Sequence, residues 1–264
     1  MVFLIGIAGA SGTGKTQFAE FVERVFKDAN HFSLDDYHKY SREERKKLGI
    51  TPLNPRANDF KLMYDHIRKV KEGEKIIKPI YDHSIGVIIP DAEEFVPKKI
   101  VVIEGLLPFY KRNIAKLFDF RLFFDVSESV RLKWKIQRDK TQRGYRREFD
   151  LKQRKVDYMK YVLPQKKSCD IVVEVDKSRK FRGTLKARLL FKKGSFEIPV
   201  KAPLQKGSVE IEGNSVLLEG VFTRDNFDVG GFSEAIPQKM NAFTAAQVLI
   251  IHHLQTLLQK SGVL

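Results

Sequence analysis

Short apolar runs recur along the first two thirds of the chain, at Val2 to Ala8, Ile100 to Ile103, Phe120 to Val126 and Ile171 to Val175, with a weaker one at His31 to Leu34. Between them lie stretches with helical spacing: Lys15 to Lys27, Asp59 to Glu72, Tyr110 to Leu117, Val130 to Lys140 and Leu151 to Val162. Near-continuous apolar strands alternating with helices predict a right-handed open α/β fold, its sheet mainly parallel and covered on both faces. Ser127 is placed to cap the helix carrying Val130, Leu132 and Trp134.

After about Asp176 the pattern changes. Residues 181–200 and 206–222 alternate like antiparallel strands joined by glycine turns, and a last helix starts at Asn241. The expected organisation is an α/β domain over 1–176 and a β-rich extension with a terminal helix over 177–264. That helix is apolar around most of its circumference (Phe243, Val248, Leu249, Ile250, Ile251, Leu254, Leu257, Leu258) and must be buried, against the sheet or against a second subunit.

Residues Gly9 to Thr16 read GASGTGKT, a G-x-x-x-x-G-K-[ST] phosphate loop between an apolar strand and a helix. Gly9, Ser11, Gly12, Thr13 and Gly14 supply a backbone curl whose N–H groups point at phosphate oxygens, at the positive end of the helix dipole. Lys15 would neutralise the β and γ phosphates of a nucleoside triphosphate, and the Thr16 hydroxyl would ligate Mg²⁺. Glu104, at the end of the run KKIVVI, is the expected second metal residue, because an acidic strand end beside such a loop can hold the metal or its water.

The 264 residues, 42% hydrophobic and 31% charged, describe an ordinary globular protein. A lone cysteine, Cys169, excludes an intramolecular disulfide, a thiol-pair switch and a zinc site of paired thiolates. Lys plus Arg exceed Asp plus Glu by 48 − 33 = 15, which favours anionic partners. MVFLIGIAGA lacks a preceding basic segment and reads as a strand rather than a signal sequence, and no run suffices for a membrane span, so a cytoplasmic location is expected.

The phosphoryl acceptor must be read elsewhere. SLDDYHKYSR, residues 33–42, follows the second strand and brings two carboxylates, an imidazole and a guanidinium to the carboxyl ends of the strands, where ligands bind in such sheets. A carboxylate there can take the proton of an attacking hydroxyl, or Asp35 and Asp36 can be a turn pair. Arg138 and Arg143 lie five apart at a helix end running into Gly144, a spacing suited to folding over a triphosphate.

Taken with GASGTGKT, the strings SLDDYH, LNPRANDFKLMYDHIRKVKEGEKIIKPIYDHSIG, VVIEGLLPFY and WKIQRDKTQRGY resemble the phosphoribulokinase and uridine kinase family over about residues 1–176, its phosphoribulokinase branch most. The resemblance implies a P-loop kinase that uses ATP and Mg²⁺ to phosphorylate a sugar hydroxyl. It makes Asp35 the general base, puts His38 and Arg42 near a sugar phosphate and His83 beside the acceptor, and makes Lys135, Arg138, Asp139 and Arg143 a basic helix and lid. His38, Arg42, His83 and Arg56 would suit a dianion such as ribulose 5-phosphate better than a neutral nucleoside.

The expected reaction is therefore conversion of ribulose 5-phosphate to ribulose 1,5-bisphosphate. Uridine or cytidine kinase, or a kinase of another sugar phosphate, is the alternative. An ATP-dependent nucleic-acid binder is the rival outside enzymes, disfavoured because no RNP-like string or repeated basic-aromatic platform is present. The expected partner is a small sugar phosphate, with no nucleic acid, no membrane and a homodimeric assembly.

Overall fold

The structure, a computed structural model, describes residues 1–138, 151–192, 198–201, 204 and 206–264. Strand β1 (Phe3–Gly9) runs through the phosphate loop into α1 (Lys15–Val25), and β2 (Ala29–Ser33) ends in a 3-10 turn at Leu34–Tyr37 before the short α2 (Arg42–Lys47). Helix α3 (Phe60–Glu72) leads to a hairpin of β3 (Ile76–Asp82) and β4 (Val87–Phe95), followed by β5 (Ile100–Gly105), α4 (Arg112–Ala115), β6 (Phe120–Val126) and α5 (Glu128–Arg138). The remaining elements are α6 (Leu151–Asp157), β7 (Ile171–Lys177), β8 (Leu185–Phe191), β9 (Gly207–Glu212), β10 (Ser215–Thr223), β11 (Lys239–Asn241) and α7 (Ala242–Lys260).

The main sheet has the order β11-β10-β8-β7-β6-β1-β5-β2, with β9 also paired to β10. Strands β7, β6, β1, β5 and β2 are parallel, as the apolar runs predict. Every residue of β5 is buried, as a strand covered on both faces requires. The C-terminal strands extend this same sheet: β8 runs antiparallel to β7 from Ile171 opposite Phe191 to Lys177 opposite Leu185, and β10 then pairs with β8.

Alternation along β1 divides the interior in two. Ile5 and Ile7 join α1, α7 and the inner faces of β6, β8 and β10 in one core, whereas Leu4 and Ala8 join α3, β5 and the turn after β2 in the other. Helix α7 is buried along most of its length within the first core, so its apolar circumference is covered by the sheet of its own chain.

Local chemistry sets several boundaries. The Asp59 side chain accepts from Lys61 and Leu62 N–H and starts α3, and Gly73 ends it in a left-handed conformation. Ser127 precedes α5, and its carbonyl accepts from Arg131 N–H. The Tyr110 to Leu117 stretch shortens to α4, and the helix expected to reach Val162 is α-helical only to Asp157, then widens at Tyr158–Val162 and tightens over Leu163–Ser168.

The β3–β4 hairpin is unforeseen, because Pro79 and Pro90 interrupt its pattern and one flank is exposed; the register shifts between Lys78 and Ile80, where Pro79 has no N–H to donate. Among the described residues, no helix is long and apolar enough to cross a membrane.

Candidate active site

The phosphate loop occupies the mouth between β1 and α1. Gly14 caps α1 with φ +85°, where a side chain is strained, and its neighbour Lys15 opens the helix. Gly9 leaves room for the carbonyl of Phe124: a β-carbon built there would lie 2.6 Å from that oxygen. The Thr13 hydroxyl and Lys15 Nζ both donate to Ala10 O, at 2.9 and 3.1 Å, and these bonds close the loop on itself.

Glu104, one residue before the end of β5, is in register with Ile7 of β1 and Ser33 of β2, so three parallel strands converge at this end of the sheet. Its Oε1 accepts from the Thr16 hydroxyl at 2.9 Å, and its Oε2 lies 3.6 Å from Lys15 Nζ. Lys15 and Glu104 are both buried, so their attraction is little screened by water. From α5, Arg131 Nη1 donates to Ser11 O at 3.3 Å and grips the loop from its other side.

Opposite this mouth, the turn after β2 sends its two aspartates different ways. Asp36 enters the wall, where Oδ2 accepts from Lys78 Nζ at 2.8 Å and Oδ1 from Tyr81 N–H at 2.9 Å. Lys78 Nζ also meets Glu93 at 2.6 Å. Burial raises the Asp36 carboxyl above its ordinary range, against the opposing pull of Lys78 and the Tyr81 amide. Burial also presses Lys78 toward neutrality, but its bonds to Asp36 and Glu93 prevail and hold the ammonium charged.

Asp35, one quarter exposed, instead faces the cleft, with Oδ2 3.7 Å from His83 Nε2 at the tip of the β3–β4 hairpin. Its backbone N–H donates to Ser33 Oγ at 3.2 Å.

Arg42 begins α2 and donates through Nη2 to His83 O at 2.5 Å, while its backbone N–H donates to Gly86 O at 2.7 Å. The hairpin tip and the start of α2 are thereby fastened together. His38 is buried, its Nδ1 3.0 Å from Asn58 Oδ1, and its ring lies edge-on to Tyr81, which is in turn edge-on to His83. Burial lowers His38 to about 4, so at neutral pH it is an uncharged hydrogen-bonding group in the wall. Arg45 Nη2 donates to the Tyr81 hydroxyl at 2.7 Å and braces the same ring.

Among the sequence-derived candidates, Gly9 to Thr16 and Glu104 form one cluster, and Asp35, His83 and Arg42 form a second, with His38 one layer behind it. Arg56 lies exposed on the 3-10 turn Pro55–Ala57. Lys135 and Arg138 are on α5, but their side chains lie outside the described structure, as do Asp139 and Arg143 entirely. Asp36 enters the sequence reading only as one of a pair of carboxylates with Asp35, and Lys78, Tyr81, Arg45 and Arg131 carry no site signal there. They are recognisable only once the hairpin and α5 are in place.

A phosphate loop at the carboxyl end of a mainly parallel sheet, joined through Thr16 and Lys15 to a carboxylate on the next strand, defines the P-loop kinase class of α/β proteins. Residues 4–181 match the model of the phosphoribulokinase / uridine kinase family, and the chain belongs to that family. It is 43% identical over 202 residues to a phosphoribulokinase of Synechocystis sp., covering 73% of this chain and 60% of the relative. It is 41% identical over 194 residues to a chloroplastic phosphoribulokinase of Triticum aestivum, covering 65% and 48% respectively. The chain thus spans about half to three fifths of the length of these curated relatives. The phosphoribulokinase of Rhodobacter spheroides shares the fold at 16% identity, with a TM-score of 0.64 over 99% of both chains.

Proposed function

We propose that this protein transfers the γ-phosphoryl group of ATP to a hydroxyl of ribulose 5-phosphate, giving ADP and ribulose 1,5-bisphosphate. The observation that carries the reading is the Asp35–His83 contact at 3.7 Å, set at the same sheet end as the phosphate loop and fastened by Arg42. The similarity to named phosphoribulokinases supports it.

In this reading the loop amides and Lys15 bind the triphosphate and hold its terminal phosphoryl in line with the acceptor. Asp35 takes the proton of the attacking hydroxyl as the new O–P bond forms and the bond to the β-phosphate oxygen breaks. His83 orients Asp35 and the acceptor, and Arg42 supplies fixed positive charge for the sugar's own phosphate. Thr16 and Glu104 place a hydroxyl and a carboxylate oxygen 2.9 Å apart beside the loop, a hard donor set suited to Mg²⁺, which takes one or two protein oxygens and completes its shell with phosphate and water. Bound there, Mg²⁺ would supply charge neutralisation on the β and γ phosphates.

Homodimer formation is a further part of the proposal, supported by the edge strand β9 with Ile211 exposed. Molar mass by light scattering at low concentration tests it.

The activity is tested by ATP turnover with a panel of ribulose 5-phosphate, uridine, cytidine and other pentose phosphates. Turnover on ribulose 5-phosphate far above the rest is expected. Preference for a nucleoside would replace the assignment, and steeply salt-dependent retention of oligonucleotide without acceptor turnover would move the protein outside the kinases.

A further inference from the structure

The C-terminal extension touches the phosphate loop directly. Phe243, in the first turn of α7, is buried with its ring against the backbone of Gly14: a β-carbon built on Gly14 would lie 2.9 Å from Phe243 Cε1 and 3.3 Å from Cζ. On one side the ring meets Phe124 of β6 edge-on, with centroids 5.4 Å apart, and Phe124 meets Phe18 of α1 in the same manner at 5.5 Å. On the other it stacks on Trp134 of α5, with centroids 5.5 Å apart and planes inclined by 25°. The starting point of α7 is fixed independently, because Asn241 pairs with Val221 of β10 and its side chain caps the helix by accepting from Thr244 N–H at 2.9 Å.

Trp134 lies three residues beyond Arg131, so both project from one side of α5. Arg131 holds the loop at Ser11 O, and Trp134 rests on the ring that supports Gly14. A single aromatic side chain from the last helix therefore touches both the phosphate loop and the helix that grips it.

We propose that Phe243 is a positioning residue for nucleotide binding, through which residues 177–264 take part in the ATP site. The inference rests on the reading of Gly9 to Thr16 as the site for nucleotide phosphates and is independent of the acceptor. Loss of the flat ring frees the loop to sample geometries whose N–H groups no longer converge, so affinity for nucleotide falls while affinity for the acceptor does not.

The test uses ADP with Mg²⁺ as probe, by calorimetry on the whole chain, with Phe243→Met as a variant of similar volume. Aromatic pairing energies translate to a loss of about three- to tenfold in ADP affinity, with a single cooperative melting transition retained and the KM for the acceptor within about twofold. Trp134→Leu, which removes the other half of the stack, is expected to weaken ADP comparably, and the double variant to lose less than the product of the two. Because Trp134 is the one tryptophan of the chain, its emission is a second readout: it should change saturably with ADP in the wild type and differently in Phe243→Met.

Unchanged ADP affinity in either folded variant, or equal losses toward ADP and acceptor, overturns the proposal. A wild type that binds no ADP overturns it together with the phosphate-loop reading. A wild type that binds ADP but turns over no sugar phosphate removes the proposed activity alone, and the variants still decide the role of Phe243.

Discussion

Lys78 reaches from β3 to donate to Asp36 at 2.8 Å, and so ties the hairpin to the residue next to Asp35. The bond is buried, and Glu93 completes it from β4. It makes the wall beside Asp35 a cross-braced unit rather than two loops in contact.

Replacing Lys78 by Met strands the Asp36 carboxylate in that wall. The expected loss is about 3 kcal/mol in urea unfolding near neutral pH, the usual result of deleting one partner of a buried pair. Burial already raises the folded-state pKa of Asp36 above its unfolded value. Protonation therefore favours the folded state below the unfolded pKa, and that advantage disappears as pH rises through the folded one. The difference between wild type and Lys78→Met should accordingly shrink as pH is lowered toward about 4, and a Lys78→Met/Asp36→Asn double variant should recover part of the loss.

His38 has the opposite dependence on acid. Its folded-state pKa, about 4, lies below the ordinary histidine value of 6.5, chiefly because it is buried. Neutral His38 thus contributes stability that is complete above pH 6.5 and is lost as pH falls toward 4. The full span is on the order of 3 kcal/mol. Melting temperatures measured across this interval should fall more steeply for the wild type than for His38→Gln, whose amide cannot take up a proton.

Asp35→Asn preserves size but removes the proposed base. Turnover with ribulose 5-phosphate is expected to fall by about 10² to 10⁴, with the KM for ATP unchanged within about twofold. Steady-state kinetics with each substrate varied in turn measures both, and near-normal turnover would remove Asp35 from the base role.

Arg42→Ala removes the side-chain tie between α2 and the hairpin tip, leaving the backbone bond to Gly86 O, and removes the proposed phosphate contact as well. The KM for ribulose 5-phosphate should rise by about tenfold or more while that for ATP changes little. Arg42→Lys separates the two effects: it keeps the charge but loses the planar fork that reaches the His83 carbonyl. Recovery of the KM by Lys would show that charge alone is needed.

The nucleotide side of the cleft is legible in the sequence because its determinants are local. GASGTGKT lies between a strand and a helix that both announce themselves by period, and Glu104 follows four apolar residues on the next strand in the sheet. The acceptor side is less so. Asp35 and Asp36 are adjacent, and only the 3-10 turn decides that one faces His83 and the other Lys78. The hairpin that supplies both partners is hidden by Pro79, Pro90 and its exposed flank.

The role of Phe243 is hidden for a different reason. Its helix is evidently apolar, but what covers it depends on a sheet that continues, through β8 and β10, past the last parallel strand.

That continuation has a consequence for synthesis. A nascent polypeptide that has emerged only as far as β7 already holds GASGTGKT, yet Phe18, Phe124 and Ile5 still lack the cover of α7, which contributes to their core from more than 200 residues downstream of Gly14. Contacts so distant along the chain form late. On the ribosome, the phosphate loop is therefore translated well before the helix that completes the core behind it.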